Sequence, residues 1–253
     1  MEKKVVVITG ASAGIGAALA ELVGRKGGRP VLAARREPEL RQVAARSGPE
    51  ALPVVADVTR REDVRRVLDT ALARFGQVDV WVNNAGRGIT RLVSELTDED
   101  IDEMMRVNVK SALYGMQAVL PHFQSRGSGH LINVSSMLGR VPSVPFRSAY
   151  NAAKHALNAL TANLRMELSE QHPGIHVSTV MPGPVATDFG FNALGGGPDS
   201  RRIPFAQTAE EVAAVIAELV EHPRADVYTR PEFHQQVLAY YASEELGAPP
   251  RRS

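Results

Sequence analysis

The chain contains no cysteine, which excludes disulfides and thiolate metal sites and leaves the redox compartment open. It has almost no net charge: 29 Lys and Arg stand against 28 Asp and Glu, a formal +1 at pH 7. Neither nucleic acid nor an anionic membrane is implied as a partner by that balance. Long apolar runs are missing too. Lys3 and Lys4 precede only a short apolar run, insufficient for a signal peptide or a membrane span, so a cytoplasmic protein is expected. Histidines at ligand spacing are also wanting. His172 and His176 have helical spacing, but Pro173-Gly174 between them breaks a helix, and His155 adjoins Lys154 and faces elsewhere; no metal is expected. No repeat and no stretch rich in Pro, Gly or Ser divides the 253 residues, so residues 1–253 read as one domain, long enough to bury a sizeable core.

What is present begins at Val5-Val6-Val7-Ile8-Thr9-Gly10-Ala11-Ser12-Ala13-Gly14-Ile15-Gly16. A run of β-branched residues suits a strand buried on both faces, as in a parallel sheet. Gly10 ends it, and Gly14 and Gly16 bracket the start of a helical pattern through Ile15, Leu19, Leu22 and Val23. A strand that turns through glycines into a helix presents unpaired N–H groups and the positive end of the helix dipole. A pyrophosphate fits such a site, and the missing Cβ atoms let it approach. The spacing is Gly-x-x-x-Gly-x-Gly, not the commoner Gly-x-Gly-x-x-Gly, and a plain strand-to-helix turn is the alternative reading.

Further along, strand patterns recur at 30–34, 52–56, 78–82, 130–134, 175–181 and 226–229. Thr59 with Glu62 has capping-box spacing for a helix to about Phe75; Thr208 with Glu211 has the same for a helix to about Glu221. Thr97 caps a long helix through Met104, Met105 and Leu113 towards Phe123. A second long helix begins near Ser148 and stops before Pro173, and a terminal helix spans 231–246, leaving a frayed tail at 247–253. Strands alternating with helices imply right-handed crossovers and a Rossmann-type doubly wound domain, α/β in class, with about seven parallel strands and helices on both faces. Ligands of such sheets sit beyond the carboxyl ends of the strands. Thr9-Gly10, Arg35, Asp57, residues 83–86, Ser135-Ser136 and Pro182-Gly183 all follow strand ends.

Tyr150 and Lys154 share one helix face. A phenol is a weak acid at neutral pH, and a neighbouring ammonium lowers its pKa towards the working range. Ser136 ends the preceding strand, where its hydroxyl can hold a carbonyl or alcohol oxygen; Ser135, by alternation, points to the opposite face. Chance occurrence of Tyr-x-x-x-Lys on an amphipathic helix is the bland alternative.

Taken together, the glycine loop, Asp57-Val58, Asn83-Asn84-Ala85-Gly86, Asn108, Ser136, Tyr150-Asn151-Ala152-Ala153-Lys154 and Pro182-Gly183 resemble the classical short-chain dehydrogenase/reductase family over essentially the first 190 residues. The resemblance implies an NAD(P)-dependent oxidoreductase acting on a carbonyl or secondary alcohol. Tyr150 would pass the proton, Ser136 steady the substrate oxygen, Lys154 also bond the nicotinamide ribose, and Asn108 hold a water linked to solvent. Gly10, Ser12, Ala13, Gly14, Ile15 and Gly16 would cradle the pyrophosphate. Asp57 would bond the adenine amino group, with Val58 adding backbone contacts. Asn84, Ala85 and Gly86 would line the adenosine side, and Pro182, Gly183, Val185 and Thr187 the nicotinamide. Asp57 as an ordinary cap beside Thr59, and Asn84 as an amide bracing the sheet, are the plainer alternatives. Ala34 occupies the place where an NAD-preferring enzyme carries a carboxylate. Arg35 follows, with Arg36 beside it, so NADP(H) is expected rather than NAD.

Residues 189–206 read as a lid over the substrate, and their Phe189, Phe191, Leu194 and Phe205 suggest a hydrophobic ketone or secondary alcohol. The two long helices carry apolar residues on more than one stripe (Met104, Met105, Leu113; Leu157, Leu160, Leu164). A homodimer or homotetramer is therefore expected. A sensor or scaffold that kept the fold and lost turnover is the competing function; it would be expected to lack part of the Ser-Tyr-Lys-Asn set, which this chain has whole.

Overall fold

The structure is a computed structural model describing residues 1–244; the tail at 247–253 lies outside them. Seven strands form one parallel sheet: β1 (Val5–Thr9), β2 (Arg29–Ala34), β3 (Leu52–Val55), β4 (Val80–Asn83), β5 (Gly129–Val134), β6 (Ile175–Met181) and β7 (Asp226–Tyr228). Their spatial order is β3-β2-β1-β4-β5-β6-β7. The helices are α1 (Gly14–Arg25), α2 (Glu37–Arg46), α3 (Arg61–Phe75), α4 (Asp98–Met105), α5 (Ser111–Arg126), α6 (Ser148–Leu168), α7 (Ala209–Glu221) and α8 (Pro231–Ala242).

Alternation along β1 shows why the sheet is sandwiched. Val6 and Ile8 face one apolar layer with Leu19 and Val23 of α1, Leu40 of α2 and Ile216 of α7. Val5 and Val7 face the other, with Val67 of α3, Phe123 of α5 and Leu157 of α6. Both faces being covered, the strand can be apolar throughout. The chain runs outward from β1 to β3 and then returns to β4 on the other side. The reversal therefore lies between β1 and β4, and a crevice opens at their carboxyl ends.

Several elements differ from the sequence expectation. The Thr59–Glu62 capping box does not form. Thr59 instead donates through N and Oγ1 to Asp57 Oδ1 (3.0 and 2.8 Å), while Glu62 is held by Arg60 at 2.7 Å. Helix α2 was not anticipated, although Pro at its start, Glu37 and Glu39 in its first turn and buried Leu40, Val43 and Ala44 are all helix signals. The helix capped by Thr97 is divided by a wider π turn at Arg106–Lys110 before α5 continues to Arg126. Within the described residues the terminal helix stops at Ala242, not Leu246. The Thr208–Glu211 box forms as expected, with Glu211 N donating to Thr208 Oγ1 at 3.1 Å and Thr208 N to Glu211 Oε2 at 2.8 Å.

Gly16 shows how tightly the first crossover is built. A Cβ there would stand 2.5 Å from Gly10 O and 2.6 Å from Asn84 Nδ2. Gly16→Ala should therefore lose about 1–3 kcal/mol to overpacking, more than the roughly 0.5–1 kcal/mol a helix gains from Ala. The check is a lower urea midpoint at unchanged m-value; an unchanged or higher midpoint would show that the loop relaxes freely.

Candidate active site

The site is assembled from strand ends. At the end of β1, Gly10 and Gly14 take left-handed φ angles of 69° and 56°, a conformation that favours glycine. Ala13 precedes α1 without a side-chain cap, so the N–H groups of the first turn face outward with the positive end of the helix dipole. Ser12 Oγ accepts from Arg36 Nη2 at 3.2 Å. Ile15 is half-buried against the core. The methyl of Thr187 would stand 3.2 Å from a Cβ on Gly14, so the chain after β6 closes over this loop.

At the ends of β2 and β3, Ala34 is buried and Arg35 is exposed. Arg36 lies 3.6 Å from Glu39. Burial alone would raise the Asp57 carboxyl, but bonds from Thr59 and the charges of Arg35 and Arg106 hold it below its ordinary pKa. One Asp57 oxygen therefore serves Thr59, as the plainer reading of this residue has it, while the guanidinium of Arg35 stands in its field. Val58 packs on the core.

At the end of β4, Thr9 Oγ1 accepts from Asn84 N (3.0 Å) and Ala85 N (3.1 Å), and Asn84 Nδ2 donates to Thr9 O at 2.9 Å. Asn84 thus braces β1 against β4. A Cβ on Gly86 would lie 2.9 Å from Asn108 Oδ1 and 3.6 Å from Lys154 Nζ, which places these residues around one point. Asn108 sits in the π turn, accepting from Arg87 N (3.1 Å) and donating to Arg87 O (2.9 Å) and Met104 O (3.1 Å).

Ser136 and Tyr150 lie near one another beyond β5, close enough for the Ser136 hydroxyl to favour the phenolate. Ser136 Oγ also accepts from Leu138 N at 3.1 Å, while Ser135 turns away to the Lys154 carbonyl at 3.5 Å. Tyr150 is 6% exposed and Lys154 3%. Lys154 Nζ donates to Val134 O at 2.9 Å and lies 5.6 Å from the centre of the Tyr150 ring. The electrostatics differ from the sequence expectation. Burial pushes the phenol up to about 12, opposed by the Ser136 bond and the charge of Arg147. Burial pushes the Lys154 ammonium down to about 8. Desolvation dominates at both groups, because both lie deep between sheet and loops.

Past β6, Pro182 O accepts from Met137 N at 2.8 Å. A Cβ on Gly183 would fall 2.3 Å from the Phe233 ring of α8, so that glycine lets the terminal helix dock under the site. Val185 bridges to Gln207, and Thr187 N donates to Val185 O at 2.8 Å. The 189–206 segment is tied to the loop after β4: Leu194 N donates to Gly88 O (2.8 Å) and Thr90 N to Leu194 O (2.9 Å). Phe189 and Leu194 pack with Tyr150, and the Phe189 ring stands 5.5 Å from the Tyr150 ring. Phe191 and Phe205 are 52% and 46% exposed, so only part of the segment's apolar content faces the phenol.

Sequence reasoning missed Arg147, Phe233 and the bridging hydroxyl of Thr9. Arg147 stands three residues before Tyr150, a helix-face spacing that was available as a signal. Among the described residues no group of three or more His, Asp or Glu side chains converges as a metal site. No described helix is long and apolar enough to cross a membrane.

Comparison with known proteins shows the family. A model of the short chain dehydrogenase family matches residues 4–193, and the chain belongs to the short-chain dehydrogenase/reductase family. It is 37% identical over 235 residues to an uncharacterized oxidoreductase, YxnA, of Bacillus subtilis, covering 90% of this chain and 65% of that protein. It is 35% identical over 231 residues to the uncharacterized oxidoreductase Lmo0432 of Listeria monocytogenes, covering 88% and 92% of the two chains. Among solved structures, a short-chain dehydrogenase/reductase from Burkholderia phymatum in complex with NAD superposes with a TM-score of 0.87 at 28% identity, covering 95% and 94% of the chains. An alcohol dehydrogenase from Thermococcus sibiricus complexed with 5-hydroxy-NADP gives 0.78 at 30% identity, covering 90% and 96%. The seven-stranded parallel sheet is thus that of the family's Rossmann-type fold.

Proposed function

We propose that the protein is a cytoplasmic NADP(H)-dependent oxidoreductase that interconverts a hydrophobic ketone and its secondary alcohol. The observation that carries this reading is the gathering of Tyr150, with the Lys154 ammonium 5.6 Å from its ring centre, and Ser136 at the carboxyl edge of the sheet, within one crevice with the glycine loop. A nicotinamide dinucleotide fits that crevice. The uncapped start of α1 offers N–H donors to the pyrophosphate, and side chains at positions 10 and 16 would collide with Asn84, Ala85 and the Gly10 carbonyl, so glycine there keeps the turn against the end of β4. The solved relatives above hold NAD in one case and 5-hydroxy-NADP in the other; the choice of NADP(H) rests on Arg35 and Arg36.

The residues that would hold it are Gly10 to Gly16 for the pyrophosphate, Arg35 and Arg36 for a 2′-phosphate, and Asp57 and Val58 for adenine. Asn84, Ala85 and Gly86 would line the adenosine, Lys154 the ribose, and Pro182, Gly183, Val185 and Thr187 the nicotinamide. When bound, the reduced cofactor supplies a hydride. Tyr150 Oη donates its proton to the substrate oxygen as negative charge builds there, and Ser136 Oγ donates a hydrogen bond to the same atom. Lys154 faces the Tyr150 ring, where its charge favours the phenolate left behind. The Asn108 amide already bonds Arg87 and Met104, so a relay water would bond the main chain of the π turn. The 189–206 segment excludes bulk water as a lid.

The test is NADPH oxidation against a panel of ketones and aldehydes. Turnover of an apolar ketone is expected; NADPH binding with no turnover across the panel would favour the sensor reading. The proposed assembly is a homodimer or homotetramer. Met104 and Leu157 turn out to be core residues, but Met105, Leu113, Leu160 and Leu164 remain partly open. Light scattering at micromolar concentration should give at least twice the monomer mass, and a monomeric mass would remove this assembly.

A further inference from the structure

The site contains a cation that acts on the Tyr150 phenol through its charge and that none of these steps brings to the substrate. Arg147 stands at the N-terminus of α6, three residues before Tyr150, and is 7% exposed. Other partly buried arginines meet carboxylates: Arg126 reaches Asp79 at 3.0 Å and Arg165 reaches Asp226 at 3.0 Å. Arg147 has no carboxylate within ion-pair distance among the described residues, only neutral partners. Its Nη1 donates to Ile89 O at 3.1 Å and Thr90 Oγ1 at 3.3 Å. A buried cation with neutral partners costs free energy, and burial does press this guanidinium below the ordinary arginine pKa. Anchoring the Ile89 carbonyl needs a donor, not a charge.

The orientation of the guanidinium says what the charge is for. Of its five N–H groups, the two on Nη1 face these acceptors. The three on Nε and Nη2 have no protein acceptor among the described residues. Nε and Nη2 form the side-on edge of the guanidinium, where two parallel N–H bonds match the two oxygens of a carboxylate. The group is held by the Phe146 ring at 5.6 Å and the Phe189 ring at 5.9 Å. Phe189 in turn stands against the Tyr150 ring, so guanidinium and phenol share one aromatic wall. Glycines flank the cation: a Cβ on Gly88 would lie 2.9 Å from Nη1, and one on Gly197 would lie 3.2 Å from Nη2. The lid and the loop after β4 therefore approach Arg147 through glycines, which add no side chain of their own at these two points.

We propose that Arg147 binds a carboxylate of the substrate, which is then an oxo acid or hydroxy acid whose apolar body lies along Phe189 and whose carbonyl meets Tyr150 and Ser136. The proposal rests on reading the site as a carbonyl reductase and adds a charged end to its hydrophobic substrate.

The experiment compares oxo acids with their methyl esters, matched in carbon skeleton, using NADPH with wild type, Arg147→Met and Arg147→Lys. Wild type should favour acid over ester by about 10- to 100-fold in kcat/KM, mainly through KM, the factor expected of charge-assisted bonds. Arg147→Met should bring the acid-to-ester ratio to about one, and Arg147→Lys should restore part of it. Because the ratio is taken within each enzyme, a general loss of folding or turnover cancels. Equal use of acid and ester by wild type, or an unchanged ratio in Arg147→Met, would overturn the assignment. Should wild type reduce no carbonyl compound at all, the reductase reading fails separately. Thermal-shift titration with saturated carboxylic acids in the presence of NADPH then decides: stabilisation of wild type and not of Arg147→Met supports the carboxylate site, and no stabilisation of wild type removes it. If Arg147→Met does not fold, Arg147→Lys carries the same comparison.

Discussion

Replacing Tyr150 by Phe should lower kcat by at least about 10²-fold, the usual contribution of one positioned general acid, with NADPH binding nearly unchanged. The substitution keeps the ring that packs against Phe189 and removes only the hydroxyl that lies near Ser136. Lys154→Met should damage both turnover and cofactor affinity, because its ammonium serves the phenol and the ribose in the proposed mechanism. Steady-state kinetics together with fluorescence titration of NADPH separate the two effects. An undiminished kcat in Tyr150→Phe would end the mechanism. The pH dependence has a definite sign. With its pKa pushed up to about 12, the phenol carries its proton throughout the neutral range, as carbonyl reduction requires. Alcohol oxidation needs the phenolate, so its rate should climb with pH through the alkaline range.

The second large effect is expected at the end of β2. NADPH should be preferred over NADH by about 10- to 100-fold in kcat/KM, which corresponds to a charge-assisted bond of about 1.5–3 kcal/mol at 1.36 kcal/mol per tenfold. Ala34 presents no carboxylate to repel a 2′-phosphate, and Arg35 is exposed beside it. Arg36 reaches the glycine loop through Ser12. Ala13, on the loop side, is neutral, so the clamp is one-sided. Arg35→Ala should erase most of the preference and Ala34→Asp should reverse it. Wild-type enzyme using NADH as well as NADPH would show that these arginines serve the surface only.

Much of this was legible before the structure. The β-branched run of β1, the alternation of strands and helices and the glycines at 10, 14 and 16 define a parallel sheet whose first strand turns through glycines into a helix, because each is a local pattern with a local cause. Ile175–Met181 has the bounds its apolar run implies. Capping was less legible. Thr97 and Thr208 cap their helices, but Thr59 does not, because Asp57 lies two residues back and captures its N–H and hydroxyl. Two donors met one nearby carboxylate, and no spacing rule weighs that competition. Helix α2 carries a faint apolar period, since only three of its ten residues, Leu40, Val43 and Ala44, are buried; its proline and first-turn carboxylates are the clearer signals.

The sequence by itself determined which chemical groups the crevice contains: the glycine turn, the hydroxyls, the phenol, the ammonium and the arginines at strand ends. Tertiary structure alone decided their company. Asn84 braces Thr9 across 75 residues of chain, and Phe189 reaches Tyr150 only because the segment after β6 folds back over α6. Burial pushes the Tyr150 phenol up and the Lys154 ammonium down, against the shift that spacing on one helix suggests for the phenol. Arg147 stands out as a charge with no carboxylate partner among the described residues only in the folded chain. Periodicity and propensity act over a few residues and can be read locally. Desolvation and pairing depend on contacts between distant segments, which the order of the strands creates.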